Sequence, residues 1–178
     1  MSLSAQNLSI VIVTLKSENV LQDCIKSIDQ NIPIIIVENS NNYELKKSLE
    51  SQYKNLKCVI TEKNLGMGAA NNKGIKLVNT DYVYILNPDT TLEKNTLENL
   101  FLESKKIPDF SIISPIHSDS NFPNWKNTLE KDFDKSQPFQ VESVDGYSML
   151  LNKKNLKDLY FDENFFLYLE NDDLCLRT

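Results

Sequence analysis

The sequence predicts an α/β domain: a mostly parallel central sheet flanked by helices on both faces. Three observations carry this prediction. Continuous apolar runs of strand length recur along the chain, segments of helical period separate them, and polar clusters stand where several of the runs end. The chain has 178 residues, a length that favours one domain with a substantial core.

The first run, "LSIVIVTL" (8–15), has the pattern of a strand buried on both faces. Ser17 is then placed to cap a helix in which Val20, Leu21, Cys24, Ile25 and Ile28 recur at helical spacing. "PIIIVENS" (33–40) reads as a second buried strand, and residues 43–53 as a helix with Leu45, Leu49 and Tyr53 at steps of four. "KCVIT" (57–61) is a short third strand. A glycine-bearing loop then opens a helix that runs to about residue 78, and a fourth strand, "DYVYIL" (81–86), follows. A helix over about 93–105 and a strand at "FSIIS" (110–114) complete the alternation. Such alternation implies helices packed on both faces of a parallel sheet, whose ligands bind at the strands' carboxyl ends.

Beyond residue 115 the pattern changes. Residues 117–139 are polar and punctuated by proline, as in a long surface excursion; 140–154 return to strand, and 155–159 form a short helix. The first seven residues are polar and read as a frayed end.

Composition excludes several functions. The chain is 40% hydrophobic and 25% charged, with a net charge of −6, so it lacks the clustered Lys and Arg that bind phosphate backbones, and nucleic acid is not an expected partner. No stretch approaches the ~20 apolar residues that cross a bilayer, and no signal peptide opens the chain. The three cysteines, Cys24, Cys58 and Cys175, form no CxxC pair; Cys24 and Cys58 fall in apolar runs, as small core residues in a reducing cytosol do. His117 is the lone histidine, which rules out a His-rich zinc site and leaves no evident Ser-His-Asp triad.

Three polar clusters stand at strand ends: Glu38-Asn39-Ser40-Asn41, Asn64-Leu65-Gly66 and Asn87-Pro88-Asp89. The stretch from Gly66 to Asn71 nearly spells GxGxxG, but it follows the third strand and not the first, so a dinucleotide site is rejected. Its small residues let a helix N-terminus approach a ligand or a neighbouring strand closely. Asn-Pro-Asp-Thr is good turn chemistry, with Thr90 or Thr91 able to cap the next helix. Asp89 also suits a hard-cation site in which one carboxylate and substrate phosphates hold Mg²⁺ or Mn²⁺. "LENDDLC" (169–175) gathers Glu170, Asp172 and Asp173. Carboxylates favour a helix N-terminus, but one set against the apolar "FFLY" before it would lose solvent, as a general base requires.

In this order the segments resemble the GT-A glycosyltransferases of family 2, in particular their bacterial rhamnosyltransferase-like branch. "SIVIVTLKSENVLQDCIKSI" is similar to the family's first strand and helix, "IIIVENSN" to its "VDNxS" segment and "NLGMGAANNKGI" to its "NxGxxxANNxG" segment. "YILNPDT" resembles the branch's form of the DXD motif, and "VDGYSMLLNKK…FDENFFLYLENDDLCLR" its acceptor-side strand and terminal motif.

The resemblance implies a single GT-A domain over 1–178, with a nucleotide-sugar-binding half (1–115) and an acceptor-side half (116–178). It implies an inverting transfer of a sugar, rhamnose being one candidate, from a dTDP-, UDP- or GDP-linked donor to a saccharide or lipid-linked saccharide in cell-surface polysaccharide synthesis. The enzyme would be cytoplasmic, meeting a lipid-linked acceptor at the inner face of the membrane. Thr14, Glu38, Asn39, Asn64, Gly66, Gly68, Asn71, Asn87 and Gly146 would bind substrate, and Asp89 the metal. Glu170 is the favoured base, with Asp173 supporting it and Asp172 or Asp173 as the alternatives.

Two positions depart from the pattern. Asn87 replaces the first Asp of DXD, which leaves Asp89 alone on the cation, and Asn171 replaces the Asp of a Glu-Asp pair. Relatives also continue past the helix in which Thr178 falls, so the likeness is to a C-terminally truncated domain, and a non-catalytic nucleotide-sugar-binding module is the alternative function. A sugar nucleotidyltransferase would need a glycine- and arginine-rich loop after the first strand, which "TLKSENV" is not.

Overall fold

The computed structural model describes residues 7–128 and 134–178. Most of the predicted frayed N-terminus and the centre of the polar excursion lie outside the described residues. Strands β1 (Leu8–Thr14), β2 (Ile34–Glu38), β3 (Leu56–Ile60) and β4 (Tyr82–Leu86) alternate with helices α1 (Glu18–Lys26), α2 (Tyr43–Gln52) and α3 (Met67–Ile75). All seven residues of β1 are buried, as its unbroken apolar run requires. Leu8, Ile10 and Ile12 face a core with Leu21, Cys24, Ile25 and Leu49. Val11 and Val13 face a second core with Ala70, Ile75 and Leu174 on the other side of the sheet. Each fully buried Val or Ile contributes about 1.5–3 kcal/mol through lost apolar exposure, so these layers fix the sheet on which the site is built.

With β5 (Ile112–Ile113) and β8 (Ser148–Asn152), the six-stranded sheet has the order β3-β2-β1-β4-β8-β5. β1 to β4 are mutually parallel, with Ile10 opposite Ile34 and Val11 opposite Ile85. The chain steps outward from β1 to β2 and β3, then returns to place β4 on β1's other side. The carboxyl ends of β1 and β4 therefore flank the switch point where open α/β sheets bind ligands.

Beyond β4 the structure corrects the sequence reading in several places. Helix α4 spans Thr96–Ser104, and Asn95 precedes it in the left-handed region (φ 68) without a side-chain cap, so neither Thr90 nor Thr91 caps it. Its following strand shrinks to β5 (Ile112–Ile113). The expected strand over 140–154 divides into β7 (Ser143–Val144) and β8 (Ser148–Asn152). β7 pairs with β6 (Trp125–Lys126), a strand inside the segment read as irregular. β8 runs antiparallel between β4 and β5, because the excursion delivers the chain to the carboxyl end of β4, where the Asn87 N–H donates to the Tyr147 carbonyl at 2.8 Å. From there a strand can only run back down the sheet. Helix α5 covers Lys153–Leu156, earlier than expected, and α6 spans Glu170–Arg177. Ser17 stands before α1 but does not cap it with its side chain; its hydroxyl donates to the Leu15 carbonyl at 3.1 Å.

Candidate active site

A cleft of about 440 Å³ opens at the switch point. Its walls come from the end of β1 and the turn into α1 (Val13, Leu15, Lys16, Ser17, Asn19 and Val20), from Asn39, from Asn64, Gly66 and Met67, from Asn87-Pro88-Asp89, and from Phe166 and Leu167. The structure thus brings five expected site residues to one cleft: Asn39, Asn64, Gly66, Asn87 and Asp89. Thr14, Glu38, Gly68, Asn71, Gly146, Glu170, Asp172 and Asp173 do not line it.

Asn39 is the hinge of the near wall. It is 2% exposed, and its amide nitrogen donates to Asn64 Oδ1 at 2.9 Å and to the Gly66 carbonyl at 3.3 Å. Its oxygen accepts from the Leu65 N–H at 2.9 Å and the Thr61 hydroxyl at 3.2 Å. One side chain at the end of β2 therefore ties down the loop between β3 and α3. Asn39→Asp replaces the donor with a charged oxygen facing two acceptors, and is expected to cost about 2–3 kcal/mol in urea unfolding; an unchanged midpoint would refute that role.

Glu38, 1% exposed, is turned into the loop after β2. Its carboxylate accepts from the Ser40 hydroxyl at 2.6 Å and from the Ser40 and Asn42 N–H groups at 3.2 and 3.0 Å. It shapes this wall from behind. Thr14 is fully buried, and its hydroxyl oxygen has no partner among the described residues.

Gly66 stands at the head of α3 with φ 81 and ψ 176, a conformation essentially restricted to glycine. A Cβ there would lie 2.2 Å from the Phe166 carbonyl oxygen. The same carbonyl accepts from the Met67 N–H at 3.0 Å, so the segment before α6 is laid directly on the first turn of α3. Gly68 is also closely packed: a Cβ at that position would lie 3.2 Å from Phe161 Cβ and 3.6 Å from Glu170 Cβ. Asn71 is 3% exposed, and its side-chain oxygen has no partner among the described residues.

Asp89 is exposed at the end of β4 and makes no hydrogen bond or ion pair among the described residues. Behind it, burial and then the Asp89 charge push the Cys24 thiol up to about 12, so Cys24 is an inert core residue. No group of three or more His, Cys, Asp or Glu among the described residues is arranged to hold a metal. The exposed, uncommitted carboxylate of Asp89 fits a site of the kind in which one carboxylate and substrate phosphates share a divalent cation.

The acidic start of α6 divides into distinct environments. Asp172 accepts from Ser143 at 2.6 Å and pairs with Lys126 at 2.5 Å. Desolvation opposes its ionised form, but the hydrogen bonds from Lys126 and Ser143 prevail and hold the carboxyl below its usual range. Asp173 pairs with Arg177 at 2.6 Å, and Arg177 also donates to the Tyr160 carbonyl. The Asn171 amide donates to the Val144 carbonyl at 2.8 Å, and Gly146 lies against its Cβ. Glu170 differs from all three: it is 9% exposed, and its Oε2 is buried without a hydrogen-bond partner among the described residues. The apolar run "FFLY" expected to wall it in is largely exposed instead: Phe165 is half-buried, and Phe166, Leu167 and Tyr168 are between 51% and 75% exposed.

Sequence reasoning missed Lys16, Ser17, Asn19, Phe166 and Leu167 as cleft walls. A signal existed for Lys16, a lone cation between an apolar strand and a helix. Phe166 and Leu167 had none, since their place depends on contact with a loop a hundred residues earlier. None of the described helices is long and apolar enough to cross a membrane.

Known proteins share this fold. The family model "Glycosyl transferase family 2" matches residues 9–174. A low-salt glycan biosynthesis hexosyltransferase of Haloferax volcanii is 27% identical over 97% of this chain and 61% of its own length. Among solved structures, the mannosyltransferase PcManGT of Pyrobaculum calidifontis, in complex with GDP-Man and Mn²⁺, superposes with a TM-score of 0.72 at 12% identity, over 94% of this chain and 50% of that one. TarS 1-349 of S. aureus, in complex with UDP-GlcNAc, gives 0.68 at 17% identity, over 95% and 52%. The chain spans about 60% of the length of the curated relatives it matches. With its GT-A fold and a family match over nearly its whole length, the chain belongs to glycosyl transferase family 2.

Proposed function

We propose that this chain is the donor-binding and catalytic portion of an inverting glycosyltransferase that takes a hexosyl or rhamnosyl group from a nucleotide-diphospho sugar. The observation that carries the reading is the cleft at the β1/β4 switch point, with an uncommitted Asp89 on one side and the close-packed head of α3 on the other. The donor would lie across the strand ends, its sugar toward α6. A divalent cation held by Asp89 and the donor phosphates, Mg²⁺ or Mn²⁺, would offset the charge on the departing diphosphate. Asn64 and Asn87 offer amides to the donor from the cleft walls.

Glu170, unpartnered among the described residues and desolvated, is the carboxylate of the acidic cluster free to act as base. It would take the proton from an acceptor hydroxyl as that oxygen bonds to the anomeric carbon. The bond to the diphosphate oxygen breaks on the opposite face, so configuration inverts without a covalent intermediate. The acceptor is proposed to be a saccharide, free or lipid-linked, in cell-surface polysaccharide assembly at the cytoplasmic side of the membrane. Residues 1–115 would serve the donor and 116–178 the acceptor.

Thermal stability with dTDP, UDP and GDP, each with and without Mn²⁺, tests the donor site. One nucleotide at 100 times its dissociation constant is expected to add about 2.7 kcal/mol, to need Mn²⁺, and to lose its effect in Asp89→Ala. No shift with any nucleotide would refute the donor site. The second reading, a module that binds donor without turnover, is favoured by the position of Glu170 outside the cleft wall. Binding without transfer or hydrolysis in an activity assay would select it.

A further inference from the structure

Among the residues that line the cleft, Lys16 and Asp89 are the charged ones. They stand at the same end of the sheet because β1 and β4 are parallel neighbours. Val11 lies opposite Ile85, so Thr14 and Pro88 are each three residues further along, and Lys16 and Asp89 leave the sheet at nearly the same level. Lys16 is exposed and makes no ion pair or hydrogen bond among the described residues. Its backbone is in the left-handed region, with φ 54, a conformation that a side-chain-bearing residue keeps only when its surroundings impose it. Here the Ser17 hydroxyl on the Leu15 carbonyl closes the tight turn around it.

The remaining lining residues of the cleft carry no cation. The Met67 N–H at the head of α3, a natural phosphate donor, is taken by the Phe166 carbonyl at 3.0 Å. Asp89 is negative, and repels a diphosphate unless a cation intervenes. One carboxylate and one divalent ion leave much of a diphosphate's charge unmatched, and a lysine from the facing strand end supplies a point charge with no metal requirement.

Resting on the donor-site reading above, we infer that Lys16 holds the donor's diphosphate from the β1 side of the cleft, opposite Asp89, and gives nucleotide binding a component independent of the metal. The ligand class is a nucleoside diphosphate, free or sugar-linked.

Calorimetric titration of UDP, GDP and dTDP, and of uridine, guanosine and thymidine, into the wild type, Lys16→Met and Lys16→Arg tests this. Titrations are run with Mn²⁺ and with EDTA, at low and high salt. The nucleoside diphosphate that binds the wild type should bind Lys16→Met about tenfold more weakly, and Lys16→Arg within roughly threefold of wild type. In EDTA the wild type should keep weak, salt-sensitive binding that Lys16→Met loses, while nucleoside binding is the same in all three. Equal melting temperatures without ligand confirm intact folding. Two results would overturn the inference with the donor site intact: Lys16→Met binding the diphosphate as tightly as wild type, or losing nucleoside and diphosphate alike. Absence of all nucleotide binding in the wild type would overturn the donor-site reading and this inference with it.

Discussion

Glu170→Gln is expected to lower sugar transfer by roughly 10²–10⁴-fold, the range a positioned general base supplies, while nucleotide affinity stays at the wild-type level. The substitution preserves shape and removes the ability to accept a proton. Glu170 does not line the donor cleft, so donor binding should not register its loss. The variant is expected to fold, because the Oε2 atom it replaces has no hydrogen-bond partner among the described residues to lose. Its neighbours supply the contrast. Asp172 is bound to Lys126 and Ser143, and Asp173 to Arg177, so their amide variants should weaken the packing of α6 first and turnover only through it. Nucleotide release measured by a coupled assay, with calorimetry on the same samples, reads both quantities. A Glu170→Gln enzyme as fast as wild type would transfer the role of base elsewhere.

Gly66→Ala is expected to destabilise the fold by about 3 kcal/mol or more. Its backbone conformation alone costs a side-chain-bearing residue roughly 1–3 kcal/mol. The added Cβ would also sit 2.2 Å from the Phe166 carbonyl oxygen and 2.9 Å from its carbon. Both are backbone atoms, which cannot rotate aside as a side-chain tip would. Relief requires the segment before α6 to lift from α3, breaking the hydrogen bond from Met67. A domain of this size loses about 2–4 °C of melting temperature per kcal/mol, so a drop of roughly 6–12 °C is expected in a thermal melt. Lifting that segment also moves one cleft wall and the start of α6, so nucleotide affinity should fall in the same variant. A melt and an affinity equal to wild type would refute the close contact.

The parallel half of the fold was legible in the sequence because burial on both faces leaves a direct trace. The unbroken apolar runs of β1 and β2 could not be solvent-facing, and the helical period of α1 and α2 pointed their apolar faces at the sheet. Strand direction leaves no such trace. "SMLL" in β8 would read the same in either orientation, and its antiparallel insertion follows from where the excursion delivers the chain. The start of α4 was misplaced for a similar reason, since Asn95 enters the helix from a left-handed conformation that no residue pattern announces.

Site chemistry divides along the same line. That Asn39, Asn64, Gly66, Asn87 and Asp89 gather at one cleft was legible because each stands just beyond the carboxyl end of a parallel strand, where such sheets open their clefts. The "FFLY" segment was misread, because an apolar run implies burial only when some other element covers it. The resemblance favoured Glu170 over Asp172 and Asp173, but what each carboxylate pairs with was beyond the sequence: all lie within one turn, and the partners Lys126 and Ser143 of Asp172 lie elsewhere.

By itself, the sequence determined which segments are buried strands, which polar residues end them, and the family whose motifs they carry. Tertiary structure alone decided the antiparallel β8, the seating of Phe166 on Gly66, and the sorting of three adjacent carboxylates into two paired and one unpartnered among the described residues. The physical reason is range. Burial and helical period are written in neighbouring residues, whereas a hydrogen-bond partner such as Lys126, 46 positions from Asp172, exists only once the chain has closed on itself.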